Sequence, residues 1–259
     1  MNYDDLLIVI PAKLGSAAVP RKNLQRCGGM TLLERTVRFA QALDGATVVV
    51  STEAAEVAVT AGELGVALII AAYPPEHHGP DSLAADVWGH AWASAEQFTS
   101  HQFEWSLYLE PTCPLRERWM VDAVLEQLTE HWSAMTVEAV PEKYLAPRQF
   151  RVERGQGVLL NGHTRLSTPR QALPLHYLKN GAAYAHVRQQ NMISSRHVVP
   201  CTSEVTICVP TPPLVNIDSW ADLVEADRIL IERGEWYGED ENRVWDGRDD
   251  VAVQGRGPA

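Results

Sequence analysis

Short apolar runs alternate with helical patterns along the first 140 residues, and this alternation limits the possible folds most. Five runs are rich in β-branched or aromatic side chains and end at turn residues. They cover residues 6–12, 47–52, 66–71, 105–111 and 134–140. Strands that alternate with helices form a largely parallel sheet with right-handed crossovers, and continuously apolar strands are covered on both faces. The pattern therefore predicts an α/β fold with helices on both faces of a mostly parallel sheet.

Helical patterns separate these runs. Thr31 and Glu34 have the spacing of a capping box at the start of the first helix. Further helices are expected over 53–64, from Asp81 or Ser82 to about 90, over 120–128 and over 219–233. In such a sheet ligands bind beyond the carboxyl ends of the strands. The loops at 11–23, 72–82 and 110–117 should therefore surround one site.

The alternation stops between residues 141 and 180, where several prolines and arginines occur without a long apolar period. We interpret this segment as an inserted arm. Strands are expected to resume at 181–187 and 205–210. Residues 1–235 then form one domain, and the acidic, glycine-containing tail at 236–259 is expected to be poorly ordered.

Composition excludes several classes of protein. The formal net charge of −11 opposes binding to nucleic acid. No apolar stretch reaches the roughly 18 residues of a membrane span, and acidic residues occupy the start of the chain, where a signal peptide would be basic. The four cysteines have no CxxC spacing, which favours a reducing cytoplasm.

The loop after the first strand combines glycine with basic side chains. Gly15 and Ser16 allow a close approach of the backbone to an anion, and Lys13, Arg21 and Lys22 provide positive charge. The residues of this loop expected to bind a nucleotide are Ala12, Lys13, Gly15, Ser16, Arg21, Lys22 and Asn23. The alternative is a solvated basic turn, since short motifs often mislead.

Four segments resemble one family in order along the chain. Residues 10–23 read I-P-A-K-L-G-S-A-A-V-P-R-K-N. They resemble the pattern I-P-A-R-x-G-S-K-x-I-P-x-K-N of the acylneuraminate cytidylyltransferases, which attach CMP to sialic acid and related 3-deoxy-ulosonic acids. E-P-T-C-P-L-R at 110–116 resembles the family's Q-P-T-S-P-L-R. N-G-A-A-Y at 180–184 and N-I-D at 216–218 resemble its N-G-A-x-Y and D-I-D.

The resemblance implies a Rossmann-like fold and a homodimer formed through the arm at 141–180. It also implies a reaction. The hydroxyl group of an acidic sugar attacks the α-phosphorus of CTP, pyrophosphate leaves, and Mg²⁺ bound by the D-I-D carboxylates organises the phosphate oxygens. Catalysis of this kind is mostly positioning and charge neutralisation.

The resemblance also implies roles for individual residues. The catalytic residues would be Lys13, Arg21, Lys22 and Asp218, with Asp81 and Ser82 added to the nucleotide site. The substrate-binding residues would be Glu110, Thr112, Arg116, Arg170, Gln171, Asn180, Gly181 and Ala182. Asp218 and Asn216 would bind the metal. Asp218 has an alternative role as the N-cap of the last helix.

Several positions depart from the family pattern. Ala17 replaces a lysine, Lys13 an arginine, Asn216 the first metal carboxylate and Glu110 a glutamine. Three interpretations therefore remain open. The chain is a CTP-dependent enzyme acting on an acidic sugar, or a nucleotidyltransferase for another nucleoside triphosphate or an unusual acceptor such as a phosphonate, or a nucleotide-binding homologue with weak catalysis.

Overall fold

The computed structural model describes residues 3–16, 18–70, 84–145, 149–159, 169–188 and 206–235. The strands are β1 (Leu6–Pro11), β2 (Arg26–Cys27), β3 (Met30–Thr31), β4 (Thr47–Ser51), β5 (Leu68–Ile70), β6 (Trp105–Tyr108), β7 (Ser133–Ala139), β8 (Phe150–Glu153), β9 (Gln156–Leu159), β10 (Tyr177–Val187) and β11 (Ile207–Thr211). The helices are α1 (Leu32–Gln41), α2 (Ala55–Glu63), α3 (Ala84–Thr99), α4 (Arg118–Gln127) and α5 (Trp220–Glu232).

Seven of the described strands form one sheet in the order β11-β7-β10-β6-β1-β4-β5. β1 is parallel to β4 and β6, β4 to β5, and β7 to β11, whereas β10 runs antiparallel to β6 and β7. All seven predicted strands are present, and the predicted α/β, Rossmann-like class with a mostly parallel sheet is confirmed. β10 begins at Tyr177, so the sheet resumes four residues before the predicted position 181.

The alternation of side chains along β1 explains the two layers of helices. Leu6, Ile8 and Ile10 face the cluster that contains buried residues of α1, α2 and α4. Leu7 and Val9 face the opposite cluster, built on the tryptophans and alanines of α3. Because successive strand residues point to opposite faces, a continuously apolar strand can bury both of its faces.

The start of α1 follows its predicted capping signal. The Thr31 side chain accepts a hydrogen bond from the Glu34 backbone N–H, as the capping-box spacing predicted for α1. The expected start of α3 at Asp81 or Ser82 lies outside the described residues, as do the loop at 72–82 and the tail at 236–259. None of the described helices is long and apolar enough to cross a membrane.

The segment predicted as an inserted arm contains its own small sheet. β8 and β9 form an antiparallel hairpin that is separate from the seven-stranded sheet. Phe150 and Val152 lie on one face of this hairpin, with 46% and 72% of their surface exposed. The hairpin thus presents apolar side chains to solvent.

Candidate active site

The loop after β1 is held by one side chain from its own end and one from the segment that follows β4. The Asn23 amide donates a 2.8 Å hydrogen bond to the Lys13 carbonyl, and the Leu14 backbone N–H donates a 2.9 Å bond to the Glu53 carboxylate. Ala12 is buried, and its N–H bonds to Ser51 at the end of β4. The loop is therefore fixed at both ends, and Asn23 is committed to holding it in shape.

The cations of this loop differ in how they are placed. Lys13 and Arg21 are exposed, and Arg21 forms an ion pair with Glu56 from a left-handed backbone conformation, φ 52°. Lys22 is largely covered, and its ammonium group donates a 2.7 Å hydrogen bond to the Ile217 carbonyl. The Lys22 ammonium also lies 3.3 Å from the Asp218 carboxylate. Lys22 therefore joins the first loop to the N-I-D segment.

The Asp218 carboxylate is available to a ligand. The N-cap of α5 is Ser219, which forms a complete capping box with Asp222, so the alternative role of Asp218 as N-cap is wrong. The backbone N–H of Asp218 also donates to Asp222. Because Asp222 satisfies the start of the helix, the Asp218 side chain stays free of that task and is 81% exposed.

A bulge in β10 carries the N-G-A motif, and Arg116 supports it. The pairing of β10 with β7 shifts between Lys179 and Tyr184. Arg116, only 8% exposed, donates to the carbonyls of Glu110, Gly181 and Ala182. A bulge removes backbone groups from the ladder, and the guanidinium satisfies the released carbonyls. Arg116 was predicted to bind substrate, and the structure directs its donors to the protein backbone.

Asn180 is also committed to the bulge. Its amide oxygen accepts hydrogen bonds from the Thr136 hydroxyl at 2.7 Å and from the Ala182 N–H at 3.3 Å. Its amide nitrogen donates a 2.7 Å bond to the Thr211 hydroxyl. Both ends of the amide thus tie β10 to β7 and β11. The predicted contact of Asn180 with substrate remains a prediction.

Glu110, Gly181 and Asn216 lie close together at the β10 bulge. Gly181 has φ +77°, and a Cβ on it would lie 2.7 Å from Glu110 Oε2 and 3.1 Å from Asn216 Nδ2. Burial raises the pKa of the Glu110 carboxyl, and the Asp218 charge adds to this effect. The cationic groups of Lys179, Arg116 and Lys22 oppose it. Only glycine leaves room for the two polar side chains.

Of the remaining predicted substrate-binding residues, the structure describes Thr112, Arg170 and Gln171. The Thr112 carbonyl accepts a 2.8 Å hydrogen bond from the Ile217 N–H and so joins the segments at 110–116 and 216–218. Arg170 and Gln171 lie in a one-turn helix, Arg170–Ala172, between β9 and β10. Ala17, Asp81 and Ser82 lie outside the described residues.

Sequence reasoning missed Lys179. Among the cations that act on the Glu110 carboxyl, Lys179 has the largest effect, and its ammonium lies 5.9 Å from the centroid of the Tyr184 ring. The signal was its position directly before the N-G-A motif. Sequence reasoning also missed Glu53 and Glu56, because a contact across 39 or 35 residues has no local pattern.

Within the described ranges, no group of three or more His, Cys, Asp or Glu side chains is arranged to hold a metal ion. Asp218 offers one exposed carboxylate. Mg²⁺ is commonly bound through one or two carboxylates together with phosphate oxygens and water. The donor set therefore fits a metal that arrives with a nucleotide better than one bound by protein alone.

Comparison with known proteins gives one family match and several similar folds. Residues 7–90 match the family model described as Cytidylyltransferase. The fold is similar to that of a CMP:2-keto-3-deoxy-manno-octonic acid synthetase complexed with CTP, with 17% identity, TM-score 0.61, and coverage of 88% of this chain and 99% of that chain. It is also similar to 4-diphosphocytidyl-2C-methyl-D-erythritol synthase from Anaerococcus prevotii DSM 20548, with 11% identity, TM-score 0.54, and coverage of 87% and 97%.

At these identities the structural likeness establishes the fold, and the family match covers the first loop, the helix after it and the next two strands. The resemblance noted in the sequence is confirmed at this level. Residues 7–90 therefore match the cytidylyltransferase family, and the described fold is similar to those of the two enzymes named above.

Proposed function

We propose that the chain transfers CMP from CTP to a hydroxyl group of an acidic sugar, a sialic acid or another 3-deoxy-ulosonic acid, and releases pyrophosphate. The observation that carries the proposal is the link from Lys22 to Ile217 and Asp218. It places the basic loop after β1 against an exposed carboxylate. A triphosphate needs cations along its oxygens and a metal-binding carboxylate near its α-phosphate, and both lie at this junction.

The geometry of the loop supports nucleotide binding. A Cβ on Gly15 would meet no described atom within 4 Å, so packing within the described protein does not require glycine there. Close approach of a phosphate to the backbone gives a reason for it. Lys13 and Arg21 are exposed beside it and can bind phosphate oxygens. Association through these cations is expected to weaken as salt increases.

Mg²⁺ is part of the proposal. Asp218 would bind it together with phosphate oxygens, since the carboxylate is exposed and lies beside Lys22. When bound, the metal neutralises phosphate charge and makes a nearby hydroxyl easier to deprotonate. Lys22 would then hold Asp218 in position and contribute a second positive charge near the leaving pyrophosphate.

The acceptor is expected to bind beside the β10 bulge. The ammonium group of Lys179, which lies 5.9 Å from the centroid of the Tyr184 ring, can supply positive charge to a sugar carboxylate. The two similar structures carry the names of synthases with different acceptors. The cytidyl half of the reaction is thus what the fold supports most strongly, and the ulosonic acid rests on the ordered motifs of this sequence.

The homodimer is also proposed, through the segment predicted as an arm. The exposed Phe150 and Val152 on one face of the β8–β9 hairpin support it, since exposed apolar patches commonly mark interfaces. Sedimentation of Val152→Asp should show a shift from dimer to monomer. A wild-type monomer at micromolar concentration would contradict this part.

Pyrophosphate release tests the reaction directly. The protein is mixed with CTP, Mg²⁺ and a panel of sialic and other 3-deoxy-ulosonic acids, with a phosphonate included for comparison. Release with at least one ulosonic acid, lost in Lys22→Met and kept in Lys143→Met, is expected. Release with the phosphonate alone would overturn the acceptor class. In parallel, CTP should raise the melting temperature more than ATP, GTP or UTP, because a ligand that binds the native state stabilises it.

A further inference from the structure

Positions 110 and 216 depart from the family pattern in opposite directions. Glu110 is a carboxylate where the resemblance has an amide, and Asn216 is an amide where the resemblance has a carboxylate. Each change alone alters the charge of the site by one unit. Taken together they leave the charge of the pair unchanged. The exchange has a consequence only if the two side chains occupy one place.

The structure brings them to one place across 106 positions of sequence. Glu110 Oε2 and Asn216 Nδ2 lie 2.7 and 3.1 Å from the point where a Cβ on Gly181 would sit. The hydrogen bond from the Ile217 N–H to the Thr112 carbonyl, 2.8 Å long, holds the two segments beside each other. Their side chains therefore share the space that Gly181 leaves open.

The Asn216 side chain has a hydrogen-bond acceptor that the described residues leave unused. Asn216 Oδ1 is buried and has no hydrogen-bond partner among the residues that the structure describes. A buried polar atom of this kind needs a partner, since its desolvation is otherwise uncompensated. The Asn216 amide can orient a carboxylate at position 110, as an amide at 110 would orient a carboxylate at 216.

We propose that Glu110 supplies the second carboxylate, with Asp218, that binds the divalent cation of the nucleotide complex, in the role that the resemblance gives to position 216. This inference rests on the proposed function. The charges that act on Glu110 are those of Lys179, Arg116, Asp218 and Lys22. A divalent cation shared by Glu110 and Asp218 removes their mutual repulsion, which one ammonium group of Lys22 relieves only in part.

The test removes the carboxylate from position 110 and then adds one at position 216. Calorimetry without any acceptor gives the Kd of CTP in EDTA and in Mg²⁺. The ratio of the Kd in EDTA to the Kd in Mg²⁺ reports metal binding in the complex without turnover. Wild type, Glu110→Gln and the double variant Glu110→Gln/Asn216→Asp are compared. Glu104→Gln is the matched control, because Glu104 is exposed and lies before the other end of the same strand.

Glu110→Gln should lower the ratio by at least the roughly tenfold that loss of a supporting group costs a metal site. The double variant should restore it to within about threefold of wild type, and Glu104→Gln should leave it unchanged. An unchanged ratio in Glu110→Gln overturns the inference, as does a double variant no better than Glu110→Gln. If wild type binds CTP in neither buffer, the proposed function itself fails.

Discussion

The loop after β1 and the bulge in β10 both contribute to the candidate site but are built in different ways. In the loop Lys13 and Arg21 are exposed, and Arg21 forms a surface ion pair with Glu56. In the bulge the cation is Arg116, buried and hydrogen-bonded to three carbonyls. The first region leaves charge exposed at the surface, and the second uses charge to hold its own backbone.

The difference separates binding from positioning. Charge on an exposed side chain contributes little to stability, because water and salt screen it, so it is available for phosphate. A buried guanidinium with three backbone partners is costly to remove. Substitutions in the loop should therefore change ligand affinity, whereas substitutions in the bulge should change stability first.

Replacing Arg116 should give the largest effect. Arg116→Met leaves the carbonyls of Glu110, Gly181 and Ala182 without their donor, and the free energy of unfolding should fall by about 3 kcal/mol. Urea denaturation measures it. Arg118→Met is the control, since Arg118 is exposed and paired with Asp122, and it should cost under about 0.5 kcal/mol. Equal losses in the two variants would remove the contrast between buried and exposed cations.

Gly181→Ala should come next. Its Cβ would meet Glu110 and Asn216, and φ +77° is unfavourable for alanine, so a loss of about 2 kcal/mol is expected. Gly155→Ala is a matched control, because Gly155 has φ +80° with no atom within 4 Å of its Cβ position. The loss in Gly181→Ala beyond that in Gly155→Ala measures the crowding alone. No excess would mean that the Glu110 and Asn216 side chains move aside without a cost in stability.

Lys22→Met should change binding more than stability. Loss of one charged hydrogen-bond donor near the triphosphate should weaken CTP binding roughly tenfold. Melting without ligand should shift little, because only the Ile217 carbonyl and the exposed Asp218 lose a partner. Calorimetry and thermal melting provide the two measurements. A large loss of stability with unchanged CTP affinity would show that Lys22 supports the fold, as Arg116 does, and does not bind the nucleotide.

The smallest effect is expected at the far end of β10. Burial lowers the pKa of His186, while its hydrogen bond to Val187 opposes the shift. As pH falls through the ordinary histidine pKa of about 6.5, the unfolded chain takes up a proton before the folded protein does, so stability decreases. His186→Gln should remove this part of the pH dependence in urea denaturation. An unchanged slope would show that other groups cause it.

The sequence alone determined most of the fold and the resemblance to the cytidylyltransferases. Apolar runs such as 6–12 specify buried strands because their side chains can be covered only by helices on both faces. The first loop was recognisable because glycine and basic residues lie close together in the chain. The Thr31 capping signal was equally local, and it was confirmed.

Only the tertiary structure decided how the candidate site is assembled. The link from Lys22 to Asp218 and the meeting of Glu110 with Asn216 join residues 196 and 106 positions apart, and no local pattern encodes them. The role of Arg116 depended on a bulge in a strand 65 residues away, where carbonyls leave the ladder and need a donor. Sequence periodicity indicates which side chains are buried. The partner of a buried polar group depends on which distant segment of the chain packs against it.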